Sequence, residues 1–190
     1  MTIRILLIIL FLTLQSCDKG LSPELADINP GFGGTITFIG DWDKEVTRTH
    51  VVLFKSPLLS KEDFNAFNLK YVSDSITSES NSYNFNTNDE SLLSNVSPDD
   101  YSYLAVAQSR TETLSLNRED WKIVGLYFNA NDSTKPGTLE IPEDSFVNNI
   151  DIVCDFNNPP MQPPGGDDLS NILESIINSQ LDFQKLNRNK

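Results

Sequence analysis

The sequence YSYLAVAQ, from Tyr101 to Gln108, is the clearest β-strand of this 190-residue chain. Residues 103–107 are apolar without alternation, so the strand needs cover on both of its faces. The turn sequence SPDD at 97–100 introduces it. A strand of this kind predicts a fold in which it lies centrally, between two layers of structure.

Shorter strands are predicted on both sides of this stretch. His50–Phe54 and Trp121–Phe128 are also apolar on both faces. The other predicted strands are Thr35–Ile39, Leu69–Ser73, Ser82–Asn86, Thr138–Ile141 and Val147–Phe156. With one short helical turn beginning at Ser60, this pattern predicts an all-β fold over residues 34–157, a two-layer antiparallel sandwich of seven or eight strands.

The last predicted strand alternates cleanly between its two faces. Ile150, Ile152, Cys154 and Phe156 share one face, which predicts that Cys154 is a small, buried and unreactive core residue. The chain has two cysteines. If Cys17 carries lipid, as argued below, Cys154 has no intramolecular partner and packing must hold the fold.

Several of these segments together resemble a known class of domain. The stretch from Gly34 to Phe38, the apolar Val51–Phe54, the turn Pro98–Tyr101 before Tyr103–Val106, and the closing apolar strand are similar to carboxypeptidase regulatory-like, transthyretin-like sandwich domains. The resemblance covers roughly residues 33–157. The family's turn commonly reads Pro-Gly-x-Tyr, whereas this chain has two aspartates between proline and tyrosine. Such domains are usually accessory modules without catalytic residues, and the resemblance implies the same role here.

The N-terminus has the pattern of a secretory signal. Arg4 precedes an apolar run from Ile5 to Leu12, which is too short to span a bilayer. Leu14–Cys17, LQSC, resembles the bacterial lipobox, in which the cysteine is lipidated after removal of residues 1–16, although Gln15 differs from the usual residue there. The prediction is a lipid-anchored protein of the bacterial cell envelope, with inner or outer membrane left open. The alternative is an ordinary secretory signal with a chance cysteine.

Two linkers flank the predicted sandwich. Residues 17–33 contain few apolar residues and several prolines and glycines, which is typical of a flexible tether. Residues 158–167 are rich in proline and glycine and indicate a spacer. An amphipathic helix is predicted over 168–187, and its apolar residues between Leu169 and Leu186 could await a protein partner.

Charge and composition exclude several functions. The 14 basic residues are outnumbered by 27 acidic ones, and the net charge of -13 excludes nucleic acid as a partner. The single histidine, His50, falls at the start of a nearly buried strand and is interpreted as structural rather than catalytic. The chain has too few histidine and cysteine ligands for a zinc site. Asp41, Asp43 and Glu45 alternate as in an EF-hand loop, but the sixth and twelfth positions of that loop, which need glycine and glutamate, are valines at 46 and 52. No metal or cofactor is predicted.

The acidic loop after the first strand is the candidate ligand site. Asp41, Trp42 and Asp43 stand together there, and Trp42 is the aromatic residue expected to be most exposed. A wider sugar-stacking platform would also include Tyr83, Tyr101, Tyr103 and Trp121, although strand aromatics more often pack in cores. The sequence therefore favours a non-enzymatic accessory or protein-interaction module, with carbohydrate or peptide binding near Trp42 as the alternative.

The lipidated cysteine can be tested by substitution. Cys17→Ser should release the protein from the membrane fraction or leave it with its signal uncleaved, because stable anchoring requires two or more acyl chains. Cell fractionation with mass spectrometry of the N-terminal peptide measures this, and Cys154→Ser is the matched control that should stay anchored. An unchanged membrane fraction for Cys17→Ser, with no lipid on the mature N-terminus, would contradict the prediction.

Overall fold

The computed structural model describes residues 29–129 and 132–166. This part of the chain forms thirteen β-strands and two 3-10 turns, at Lys61–Asp63 and Arg118–Asp120, and contains no α-helix. The strands are β1 (Gly31–Ile39), β2 (Arg48–Phe54), β3 (Leu69–Ser73), β4 (Ser82–Asn86), β5 (Ser91–Ser94), β6 (Asp99–Tyr101), β7 (Tyr103–Ser109), β8 (Trp121–Leu126), β9 (Phe128–Asn129), β10 (Asp132–Pro136), β11 (Leu139–Ile141), β12 (Phe146–Val147) and β13 (Ile152–Asp155). The all-β prediction is confirmed. The predicted signal, Cys17 and the C-terminal helix lie outside the described residues.

The prediction of seven or eight strands is too low. β5, β9 and β10 are missed because their residues are mostly exposed and show no alternation of apolar with polar positions. The predicted strand Val147–Phe156 is divided into β12 and β13, and between them Asn149 adopts a positive φ of 61° that an extended strand does not allow.

Five strands form the larger sheet, in the order β5-β3-β2-β7-β8, and every neighbouring pair is antiparallel. All seven residues of β7 are buried, and so are six of the seven in β2. These central strands are therefore covered on both faces, as their unbroken apolar sequences predict.

The smaller sheet is built around β1. Its residues 33–37 pair with β4 in the antiparallel direction, whereas residues 36–39 pair with β13 and residues 31–32 with β12 in parallel. These two parallel pairings depart from the predicted antiparallel sandwich. β1 and β13 are separated by nearly the whole domain, so no tight hairpin imposes an antiparallel direction on them.

Two clusters of buried apolar residues cover the two faces of the larger sheet. The inner cluster joins the larger and smaller sheets and includes Phe32, Ile36, Val51, Leu53, Leu104, Val106, Val124, Ile152 and Cys154. The outer cluster covers the opposite face of the larger sheet and includes Val52, Phe54, Leu58, Tyr103, Ala105, Trp121 and Ile123. Alternate residues of β2 and β7 enter the two clusters, which gives the fold its sandwich-like layering.

A sharp corner divides the predicted strand 101–108 in two. Tyr101 ends β6, which pairs with β11, and Tyr103 begins β7. The hydroxyl of the buried Tyr101 accepts a hydrogen bond from the Ser97 N–H at 2.9 Å and donates one to the Ser97 carbonyl at 2.8 Å. This is a tyrosine corner, and it fixes the turn before the central strand.

β8 and β13 approach each other closely where the sheets meet. A Cβ atom at Gly125 would lie 2.4 Å from Cys154 Sγ, so only glycine fits there. Cys154 is fully buried together with Ile150 and Ile152, which confirms the predicted alternation, and burial raises the pKa of its thiol to about 12. At neutral pH this cysteine is therefore held as an inert thiol.

The folded domain extends beyond the predicted bounds of 34–157 at both ends. β1 begins at Gly31, so residues 31–33, expected in the tether, belong to the sheet, and Phe32 is fully buried. Phe32 is the apolar anchor within an otherwise glycine-rich stretch. Its ring packs edge-on against Tyr71 and Phe85, with centroids 5.6 and 5.8 Å away.

The described part of the proline-rich segment packs on the domain rather than projecting from it. The side-chain amide of Gln162 bonds the N–H and C=O of Ile123 at 2.8 and 2.7 Å, along the outer edge of β8. The Pro163 carbonyl accepts a hydrogen bond at 3.1 Å from Arg118, which is 2% exposed. Prolines lack N–H donors but keep their carbonyl acceptors, so such a segment can still dock.

Two truncations of the C-terminus separate these contacts from the predicted helix. Ending the chain after Gly166 should change the melting temperature by only a few degrees, because the predicted helix is expected to lie apart from the sandwich. Ending it after Asn158 also removes the Pro163 carbonyl that Arg118 bonds and the Gln162 amide that bonds Ile123, at a cost of about 2–4 kcal/mol, or roughly 6–16 °C. Calorimetry on both truncated chains measures this. Equal melting temperatures would show that residues 159–166 contribute nothing to stability.

Candidate functional site

A cavity of about 430 Å³ opens at one end of the fold, and we call it the mouth cavity. It lies where β7 ends and β8 begins, between the loop after β1 and the segment after β13. Its lining residues are Asp41, Asp43, Val46, Gln108, Ser109, Arg110, Thr111, Glu119, Asp120, Trp121, Lys122, Val124, Phe156, Pro159 and Gln162. Its volume is within the range of about 300–1,000 Å³ that is usual for small-molecule sites.

The loop after β1 forms one wall of the mouth cavity. Gly40 turns the chain with a positive φ of 94°, and Asp41 and Asp43 follow it into the wall. Arg110 pairs with Asp43 at 2.6 Å and with Glu45 at 3.1 Å. The pKa of Asp43 is lowered, chiefly by the hydrogen bond from the Glu45 N–H and next by Arg110. The acidic loop is thus tied to the end of β7 by an ion-pair network.

Gln108 lies between the apolar core and the mouth cavity. It is in phase with Leu104 and Val106 on the inner face of β7, directly opposite Lys122 of β8. Its side chain is 4% exposed, and its Nε2 atom has no hydrogen-bond partner among the described residues. A buried polar atom without a partner is uncommon in folded proteins, because its desolvation is not compensated.

Phe156 supplies the aromatic surface of the mouth cavity. Its ring packs against Phe38 and Trp42, with centroids 5.9 and 5.1 Å away. Trp42 is half-buried behind it, and the indole N–H donates to the Ser80 carbonyl at 3.2 Å. The exposure expected of Trp42 is therefore wrong. Of the three loop residues singled out by sequence, Asp41 and Asp43 line the cavity and Trp42 supports its wall.

The wider aromatic platform does not form. Tyr101 belongs to the inner cluster, with Tyr83 packed against it, whereas Tyr103 and Trp121 belong to the outer cluster. Tyr101 and Tyr103 are two residues apart and would share a face in a continuous strand, but the corner at Ser102 places them on separate strands, β6 and β7. Trp121 packs in the outer cluster and also lines the mouth cavity.

The two aspartates of the turn at 97–100, Asp99 and Asp100, have a structural role. Asp99 forms an ion pair with Lys55 at 2.5 Å, and the Lys55 ammonium also donates to the Asp100 carbonyl at 2.7 Å. Lys55 lowers the pKa of the Asp99 carboxyl. These contacts fasten the start of β6 to the end of β2.

His50 is buried and is not itself a lining residue of the mouth cavity, although it packs against one, Trp121. Its Nδ1 lies 3.0 Å from the Ser73 carbonyl, and its ring packs edge-on against Trp121. Burial lowers its pKa, so the imidazole is neutral at physiological pH. The structural interpretation of His50 fits this placement.

We compared the chain with known protein families, curated proteins and solved structures. No protein-family model matches the chain, and no curated protein or solved structure matches it significantly. Within residues 29–129 and 132–166, no three His, Cys, Asp or Glu side chains are grouped so as to hold a metal ion. The same part of the chain has no helix with the length and apolar character to cross a membrane.

Sequence reasoning singled out Asp41, Asp43 and Trp121 but missed the other lining residues of the mouth cavity, among them Gln108, Lys122, Phe156 and Gln162. A signal was present for Gln108, since a polar residue in phase with core residues at the end of a buried strand marks where a core meets an opening. None was present for Gln162, because its position depends on how a proline-rich segment folds back over β8.

The neutral state of His50 makes stability depend on pH. Because its pKa is below the ordinary 6.5 in the folded state, its contribution is complete above pH 6.5 and is lost as pH falls toward the folded value, when the unfolded chain takes up a proton. The free energy of unfolding should fall between pH 6.5 and 5 with a slope approaching about 1.4 kcal/mol per pH unit.

Urea denaturation at several pH values measures this slope. His50→Asn keeps a donor near the Ser73 carbonyl but does not titrate, so its slope over this range should be close to zero. The chain has no second histidine to obscure the difference. Equal slopes for the two proteins would contradict the assignment.

Proposed function

We propose that this chain is a non-enzymatic, lipid-anchored protein of the bacterial cell envelope whose folded domain binds a small polar ligand in the mouth cavity. The observation that carries the proposal is the mouth cavity itself, about 430 Å³ in volume, whose lining combines charged side chains with the aromatic ring of Phe156. A concave site with aromatic surface and a few polar groups is usual for small-molecule binding. The charged side chains of the lining favour a polar ligand.

The N-terminal sequence supports the location. LQSC at 14–17 follows an apolar run of signal-peptide length, and lipidation of Cys17 would place the domain at a membrane surface. The resemblance to transthyretin-like accessory domains supports a role in recognition. A domain held beside a membrane can present a site at its open end to soluble or wall-attached molecules.

The chemistry of the cavity supports binding rather than catalysis. Asp43, one of its carboxylates, is committed to Arg110 and to the Glu45 N–H. Asp120 accepts hydrogen bonds from Ser115 and Asn117, which uses it to hold the turn before β8. The single histidine is placed elsewhere, so no nucleophile and base pair is formed with it.

A fragment screen tests the proposed site. The mature chain, labelled with ¹⁵N, is titrated with a library of neutral and charged polar fragments, and its amide spectra are followed. Fragments that bind should shift resonances of Gln108, Ser109 and Val124, which line the mouth cavity. Resonances of β5, whose strand is mostly exposed and far in the sheet order from β8, serve as the internal control. Hits that shift β5 and leave the cavity unchanged would contradict the proposal.

A further inference from the structure

The outer edge of β4 is unpaired in the described part of the chain. β4 pairs along one side with β1 and with no other described strand. The Phe38 N–H of β1 donates to the Asn81 carbonyl at 3.0 Å. Because bonding directions alternate along an antiparallel strand, the backbone N–H and C=O groups of Ser82, Asn84 and Asn86 point away from β1.

This edge lacks the features that usually prevent further strand pairing. Natural edge strands are protected by charges, prolines, bulges or a covering segment. The register of β4 with β1 is regular, and residues 80–88 contain no proline and no charged residue, although 22% of the chain is charged. The side chains of Ser82 and Asn84 are exposed. β4 therefore presents a regular, neutral template for another strand.

The two edges of the larger sheet are different. At β8, the Gln162 amide bonds the N–H and C=O of Ile123, and Arg118 bonds the Trp121 carbonyl. At the other edge, β5 has only four residues, and a register shift interrupts its pairing with β3. Side-chain cover and an irregular register both discourage the addition of a strand. The fold thus protects these edges and leaves β4 open among the described strands.

We propose that β4 pairs antiparallel with β4 of a second copy of this chain, about a two-fold axis at Asn84. In this register Asn84 lies opposite its own copy, Ser82 opposite Asn86, and Tyr83 opposite Phe85. The residues with outward backbone groups then form the hydrogen-bonded pairs. None of the β4 residues lines the mouth cavity, so this pairing is independent of ligand binding there.

The side chains of β4 suit a second copy of the same strand. Tyr83 and Phe85 form a non-hydrogen-bonded pair in this register, in which side chains lie closest, and aromatic cross-strand pairs stabilise sheets. Phe85 belongs to the inner cluster and the half-buried Tyr83 packs against it, so the pairing extends that cluster across the two copies.

Charge also favours this segment as the contact between two copies. Each chain carries a net charge of -13, so two copies repel each other over most of their surfaces. Glu79 and Asp89 flank the neutral segment and lie outside the strand. They confine close approach to residues 80–88, because like charges placed opposite each other destabilise a sheet.

Analytical ultracentrifugation of the mature chain with Cys17→Ser tests the pairing, at concentrations up to about 500 µM. We expect a monomer–dimer equilibrium. Asn84→Lys places two ammonium groups opposite each other at the axis and should weaken dimerisation by at least about tenfold. Phe67→Lys is the matched control, since it adds the same charge at a 90% exposed residue outside β4 and should leave the equilibrium unchanged.

A disulfide tests the register in the same Cys17→Ser background. At the axis the two Cα atoms of residue 84 lie about 5.5 Å apart, within the range that a disulfide bridges. Asn84→Cys should therefore form a covalent dimer on mild oxidation. Thr37→Cys, exposed on the same face of the neighbouring strand β1, should remain monomeric. Cys154 is fully buried and should not react in either protein.

Hydrogen exchange at the Ser82 and Asn84 amides shows what covers the edge. In the dimer both amides should be protected, and their protection should decrease on dilution. A chain that is monomeric at every concentration overturns the proposal; protected amides would then show that another segment of the same chain covers β4. A dimer that persists in Asn84→Lys, or equal cross-linking of Thr37→Cys and Asn84→Cys, would place the interface elsewhere and also overturn it.

Discussion

The seven residues of β7 are buried on both faces, and the other layers of the domain are arranged to provide that cover. Two of its even-numbered residues, Leu104 and Val106, belong to the inner cluster between the sheets. Its odd-numbered residues Tyr103, Ala105 and Ala107 belong to the outer cluster. Tyr101 fixes where the strand begins by bonding Ser97. Because the register is set at that end, the residue that reaches the opposite end on the inner face is Gln108.

The position of Gln108 links the packing of the domain to its candidate site. The inner core ends at Val106 and Val124, and beyond them Gln108 and Lys122 face the mouth cavity. The wall segments are each held by contacts of their own: Arg110 ties the acidic loop to the end of β7, and Gln162 ties the proline-rich segment to β8. The cavity is therefore a built part of the fold and not a gap between loose loops. The Gln108 Nε2 atom, buried at the end of the inner core, has no hydrogen-bond partner among the described residues.

Much of the fold was predictable from the sequence, because burial on one or both faces leaves a direct pattern of apolar residues. β2, β3, β4 and β7 and the alternation through Cys154 follow from that pattern. The parallel pairing of β1 with β13 and the exposed strand β10 do not, since the first depends on long-range topology and the second buries little. At the site, the acidic loop sequence predicts Asp41 and Asp43. The position of Gln108 opposite Lys122 is not predictable in this way, because it depends on the register of β7 against β8.

The central claim is that the register of β7 buries the Gln108 amide at the end of the inner core without a hydrogen-bond partner for its Nε2. The free energy of unfolding of Gln108→Met, measured in urea, tests this most directly. Methionine has a similar length and no desolvation cost, so the account predicts a stability equal to that of the unsubstituted chain or higher by about 1–3 kcal/mol. A loss of more than about 1 kcal/mol, with the fold intact, would show that the amide already has a structural partner and would contradict the account.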